Sequence, residues 1–97
     1  MPYAFQYDVP ADEEFYRRVA AEIGDGQPEG LVAHLVVKRD GGLRHIGVWE
    51  SKEDWERFQS ERVAPALKKV FTAVGVANVP PRPAEEELEL VDALRGS

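Results

Sequence analysis

The chain has 97 residues, 43% of them apolar and 31% charged, which bounds it to one globular domain with a single core. Its net charge of −6 argues against a nucleic-acid partner, because counterion release needs a basic face. The absence of cysteine excludes disulfides, thiolate metal sites and a cysteine nucleophile. No apolar run approaches the ~18 residues of a membrane span, so no membrane contact is expected. The opening stretch MPYAFQYDVPADEEF lacks a basic start followed by an apolar run, so it does not read as a signal peptide. A cytoplasmic single domain over residues 1–97 is expected, structured from about residue 3 to 91 with a short tail after it.

Tyr3 to Asp8 alternates large apolar with small or polar side chains, the period of a strand. Pro10 ends it, and Asp12, Glu13 and Glu14 load the first turn of a helix, where the dipole favours acids. Phe15, Val19 and Ile23 recur every four positions and give that helix one buried stripe. Gly24, Gly26 and Pro28 close it. Two strands follow, Leu31 to Arg39 and Leu43 to Glu50, with Asp40-Gly41-Gly42 suited to a tight hairpin between them.

Ser51 is a good N-cap, and Asp54 three positions on makes a near capping box. Trp55, Phe58, Arg62 and Val63 share one face of the second helix, and Trp55 and Phe58 read as helix-to-sheet core. Pro65 predicts a kink or restart, since it lacks an amide hydrogen and clashes with the preceding turn. The apolar stripe continues through Ala66, Leu67, Val70 and Phe71 to about Thr72. Gly75 and Val79-Pro-Pro-Arg-Pro83 form a stiff connection. Glu86 to Val91 alternates and reads as an edge strand, although acids after Pro83 and the ending Arg95-Gly96 also spell a short helix. Glu85, Glu86, Glu87 and Glu89 read as a solvated strand or tail rather than a metal site.

The order βαββαβ predicts an α+β fold, a four-stranded antiparallel sheet with two helices on one face. With the strand as the last element, Gly30-Leu-Val-Ala-His34, the hairpin, and Val48-Trp-Glu-Ser51 before an aromatic-lined helix resemble the dimeric α+β barrel superfamily. Within it, the chain is most similar to the antibiotic-biosynthesis-monooxygenase-like proteins. That resemblance implies a ferredoxin-like sandwich and a homodimer. It also brings a range of activities: cofactor-free oxygenases, polyketide cyclases, lactone isomerases and haem degraders. Two of those are weakened. The oxygenases use an asparagine beside aromatics, and the only asparagine here is Asn78 in the connecting loop. Haem degraders use a histidine on the second helix, and residues 51–72 contain none.

A hairpin loop of two or four residues centred on Gly41-Gly42 sets Asp40 opposite Leu43, His34 opposite Trp49 and Val36 opposite Gly47. Partners across strands share a face. One face then carries Ala33, Leu35, Val37, Ile46 and Val48, suited to packing under the helices. The other carries His34, Val36, Lys38, His45, Gly47 and Trp49, and is expected to line the interior between two sheets in a dimer. His34 is the candidate general base there. Trp49 supplies a flat wall, Gly47 opposite Val36 leaves room for a small apolar or aromatic ligand, and His45 lies nearer the exposed hairpin end. The competing reading makes His34 a satisfied structural residue and Trp49 interface core.

The expected function is thus a cofactor-independent monooxygenase, isomerase or cyclase on an aromatic or polyketide-like substrate. The alternative is a non-catalytic ligand-binding or structural homodimer. Neither reading calls for a metal or a cofactor. Arg44 and Arg62 are available for an anion but are more simply solvated.

Overall fold

The structure, a computed structural model, describes residues 2–93. Strand β1 (Tyr3–Val9) leads into helix α1 (Glu13–Ile23), followed by β2 (Leu31–Arg39) and β3 (Gly42–Trp49). Helix α2 (Lys52–Phe58) passes through a π-helical turn (Gln59–Val63) into α3 (Ala64–Ala73), and β4 (Glu86–Leu88) completes the chain order. The strands form one antiparallel sheet in the order β2-β3-β1-β4. This is an α+β domain with an open four-stranded sheet, compatible with a ferredoxin-like fold. Among the described residues no helix is long and apolar enough to cross a membrane.

Local chemistry accounts for the ends of the elements. Asp12 caps α1 by accepting from the Phe15 amide at 2.9 Å, and Ser51 caps α2 by accepting from the Asp54 amide at 3.1 Å. The hairpin loop is Asp40-Gly41, with Gly41 at φ +81°, a left-handed conformation that glycine adopts without a Cβ clash. Strand β4 is shorter than the alternation suggested and ends at Leu88. Arg95 and Gly96, the end of the alternative helix, lie outside the described residues, as does most of the expected tail.

The expected kink at Pro65 takes the form of the π turn just before it. Pro65 cannot donate to the preceding turn, and the wider turn at Gln59–Val63 absorbs the missing bond while the helix runs on. Restoring that donor should matter little to stability. Pro65→Ala is expected to change unfolding free energy by no more than ~1 kcal/mol, because the gained bond is offset by a freer unfolded chain. Urea denaturation checks this, and a loss of several kcal/mol would show that the π turn itself shapes the core.

The core has two parts. Tyr3, Phe5, Trp49 and Trp55 form an aromatic cluster between sheet and α2, with Tyr7, Leu31 and Phe58 packed on it. Phe5 and Trp55 lie 4.6 Å apart between ring centroids, and Trp49 reaches both Trp55 and Phe58. A second cluster of Val19, Ala66 and Val70, with Phe15, Ile23 and Leu67, joins α1 to α3.

The division of residues between the sheet's two faces is as expected, but the sides are reversed. The helices cover the face of His34, Val36, His45, Gly47 and Trp49. The aliphatic face is the open one, with Leu35 57% and Val37 44% exposed. Aromatic area decides this. Tyr3, Phe5 and Tyr7 of β1 pair with Trp49, Gly47 and His45 of β3, so their rings share that face, and each buried aromatic covers ~150–250 Å². Trp55 and Phe58 complete that layer.

Candidate functional site

Strand pairing builds the site. The two-residue loop sets His34 opposite Gly47 and Val36 opposite His45, two positions from the expected register; Trp49 faces Leu31 beyond a bulge at Val32. His34 and His45 are therefore diagonal neighbours on one face, within reach of each other. His34 Nε2 lies 3.1 Å from His45 Nδ1, with the rings at 65°. Tyr7 of β1 stacks on His45 at 4.8 Å, and Tyr16 of α1 meets it edge-on at 5.6 Å.

The pair lies between the sheet and α1, half-buried. Burial holds both rings below the ordinary histidine value. For His45 the neighbouring His34 adds to the effect and brings it down to about 4. Both imidazoles are thus neutral near pH 7. Only one proton can lie between the two nitrogens, so whichever ring donates, the other accepts, and their tautomers are coupled. Burial also pushes the Tyr7 phenol up, keeping it protonated.

The other expected site residues fare differently. Trp49 is 1% exposed in the aromatic core, and its indole N–H, fully buried, has no partner among the described residues. Gly47 does not leave room for a ligand: a Cβ there would come 2.5 Å from Cζ of Phe5, so the space is taken by that ring. Val36 flanks the pair as the cross-strand partner of His45. His45, expected near solvent, is instead held between two tyrosines. The site faces the helices rather than a space between sheets. Tyr7 and Tyr16 were missed as site residues; the signal for Tyr7 was the alternation of β1, which sets it across from His45.

The basic and acidic groups are mostly engaged. Arg39 and Arg44 both pair with Asp8, at 2.6 and 2.8 Å. Arg62 donates to the Ile23 carbonyl at the end of α1, with its guanidinium 5.9 Å from the Phe58 ring. Glu85 is not a solvated tail residue. It accepts from the Tyr3 hydroxyl and the Trp55 indole, both at 2.9 Å, and from Arg82 at 2.5 Å. Among the described residues no group of three or more His, Cys, Asp or Glu is arranged to hold a metal ion. No protein-family model matches the chain, and no curated protein matches it.

Proposed function

We propose that this chain is a small-molecule-binding protein that works as a homodimer of the dimeric α+β barrel type. The His34–His45 pair is the polar centre of a site within each protomer, between the sheet and α1 and on the opposite side of the sheet from the open face. One ring serves as general base in a cofactor-independent oxidation with dioxygen as the oxidant, or in an isomerisation or cyclisation, of a small apolar or aromatic substrate. The observation that carries this reading is the pair itself: two half-buried imidazoles bonded to each other and walled by Tyr7 and Tyr16. A structural histidine is ordinarily held by a carboxylate or carbonyl acceptor, and among the described residues no carboxylate is seen against either ring. Two coupled rings can take a proton at one nitrogen and pass another along, which suits proton abstraction in an apolar setting.

The open face supports the dimer. Leu35, Val37, Ile46, Val48 and Ala33 leave an aliphatic surface that no helix covers among the described residues, and an antiparallel sheet with such a face commonly meets another. A depression of about 280 Å³ beside it is lined by Val32, Val48, Leu90 and Val91 together with the acidic Glu50 and Asp92. The structural-homodimer alternative draws on the same face, which needs no ligand to account for it.

A panel of aromatic and polyketide-like compounds, titrated against wild type, His34→Gln and His45→Gln and followed by NMR, tests the site. The expected result is binding at least tenfold weaker in both variants, with the fold intact by circular dichroism. Compounds bound equally by all three proteins, or by none, would overturn the catalytic reading. Sedimentation equilibrium is expected to give twice the 10.9 kDa chain mass; a monomer at micromolar concentration would overturn the dimer.

A further inference from the structure

Two imidazole nitrogens facing each other across adjacent strands are also the first half of a metal chelate. We infer that His34 Nε2 and His45 Nδ1 form a two-histidine site for a borderline divalent transition ion, of the Cu²⁺, Ni²⁺ or Zn²⁺ class. The inference concerns the same rings as the proposed base, but it rests on their geometry and holds whether or not the protein is an enzyme.

The distance is the first support. Imidazole nitrogens bind zinc at ~2.0–2.1 Å, so two of them 3.1 Å apart subtend an angle of about 98° at a shared ion. That lies between the octahedral and tetrahedral angles, and both rings turn from the hydrogen bond so that their lone pairs aim at the ion. Preorganisation is the second support. The register of β2 on β3 fixes both Cα positions, and Tyr7 and Tyr16 hold the His45 ring from β1 and α1. Little side-chain freedom is left to lose on binding. Availability is the third: both rings are in the neutral form that ligates. Binding moves the proton shared between the two nitrogens to the far nitrogen of the ring that carries it, so that both facing lone pairs are free to ligate.

Ligand chemistry sets the selectivity. Imidazole suits copper, nickel and zinc, whereas calcium and magnesium take oxygen ligands. The divalent order places copper tightest. With only two protein nitrogens, the other coordination positions are left to water or to a bound small molecule. An ion there occupies the lone pairs that the base reading needs, so metal and proton compete for the pair.

Titration of the metal-free protein with CuCl₂, followed by electron paramagnetic resonance and by the thermal midpoint, tests the proposal. The expected result is one ion per chain, hyperfine structure from two imidazole nitrogens, and a raised midpoint that EDTA reverses. Zn²⁺ is expected to raise the midpoint less, and Mg²⁺ and Ca²⁺ not at all. His34→Gln and His45→Gln should each weaken binding at least tenfold and leave at most one nitrogen in the spectrum. Unchanged binding in both variants, or a copper spectrum without two nitrogens in the wild type, would overturn it. Since the compound panel is run in metal-free buffer, either reading can fail without the other.

Discussion

Gly47→Ala is expected to destabilise the domain by ~1–3 kcal/mol, although alanine in a strand is ordinarily better than glycine by ~0.5–1 kcal/mol. The reason is the Phe5 ring, which lies over the glycine on the neighbouring strand. An added Cβ would sit 2.5 Å from Cζ and 2.9 Å from Cε2 of that ring. Phe5 has no accessible surface and is held by Tyr3, Tyr7 and Trp55, so it has nowhere to move. Phe5→Leu alone opens a void and also destabilises. Combined with Gly47→Ala, it should cost less than the sum of the two single changes, because the methyl fills space that the ring has vacated. Urea denaturation of the four proteins measures this. Full additivity, or a Gly47→Ala variant as stable as wild type, would show that the ring and the glycine are not fitted to each other.

The second large effect is expected at Glu85, whose side chain is only 13% exposed. Burial works against its charge, but bonds from the Trp55 indole, the Tyr3 hydroxyl and the Arg82 guanidinium outweigh it and hold the carboxyl below its ordinary value of 4.5. Burial, together with the same contact, pushes the Tyr3 phenol up to about 12. Glu85→Gln removes the charge from three donors and turns an amide N–H₂ toward one of them, so a loss of ~1–3 kcal/mol is expected at pH 7. The pH dependence has a definite sign. A carboxylate with a lowered folded value contributes stability above the unfolded value, and that contribution fades as pH falls through the folded one. The gap between wild type and Glu85→Gln should therefore be constant from pH 7 to about 5 and close below pH 4.5. Asp8 and Glu13 are also held low by their arginine and lysine partners, but they titrate in both proteins and cancel in the difference. A gap that persists unchanged at pH 3 would mean that Glu85 acts through packing and not through charge.

Much of the architecture was legible in the residues. The capping serine, the hairpin glycine and the aromatic stripe of α2 are local signals, and each specifies its element without reference to distant parts of the chain. The sheet's two faces were legible as well, because a period of two does not depend on which side is covered. The covered side was not read correctly, because it depends on a comparison between strands. Only when β1 is paired with β3 do Tyr3, Phe5 and Tyr7 join Trp49 and outweigh the aliphatic face. Glu85 shows a different limit. Its neighbours, three more acids and three prolines within a few positions, describe a solvated connection, and nothing local indicates that Tyr3 and Trp55 will both turn to it. The histidine pair shares that limit. Eleven residues separate its members, and a two-residue change in register decides whether they meet.

The division of the core has a consequence for how the molecule opens. The aromatic cluster ties α2 to β1 and β3, whereas the aliphatic cluster ties α1 to α3, and the rings of His45 and Tyr16 bridge α1 to the sheet. Protection against amide exchange is thus free to differ between the two, with the α1–α3 pair lifting as a cooperative unit while the central strands stay closed. The imidazoles lie along the seam where those units meet. A guest seated there is expected to slow the opening of that seam by holding the two halves together.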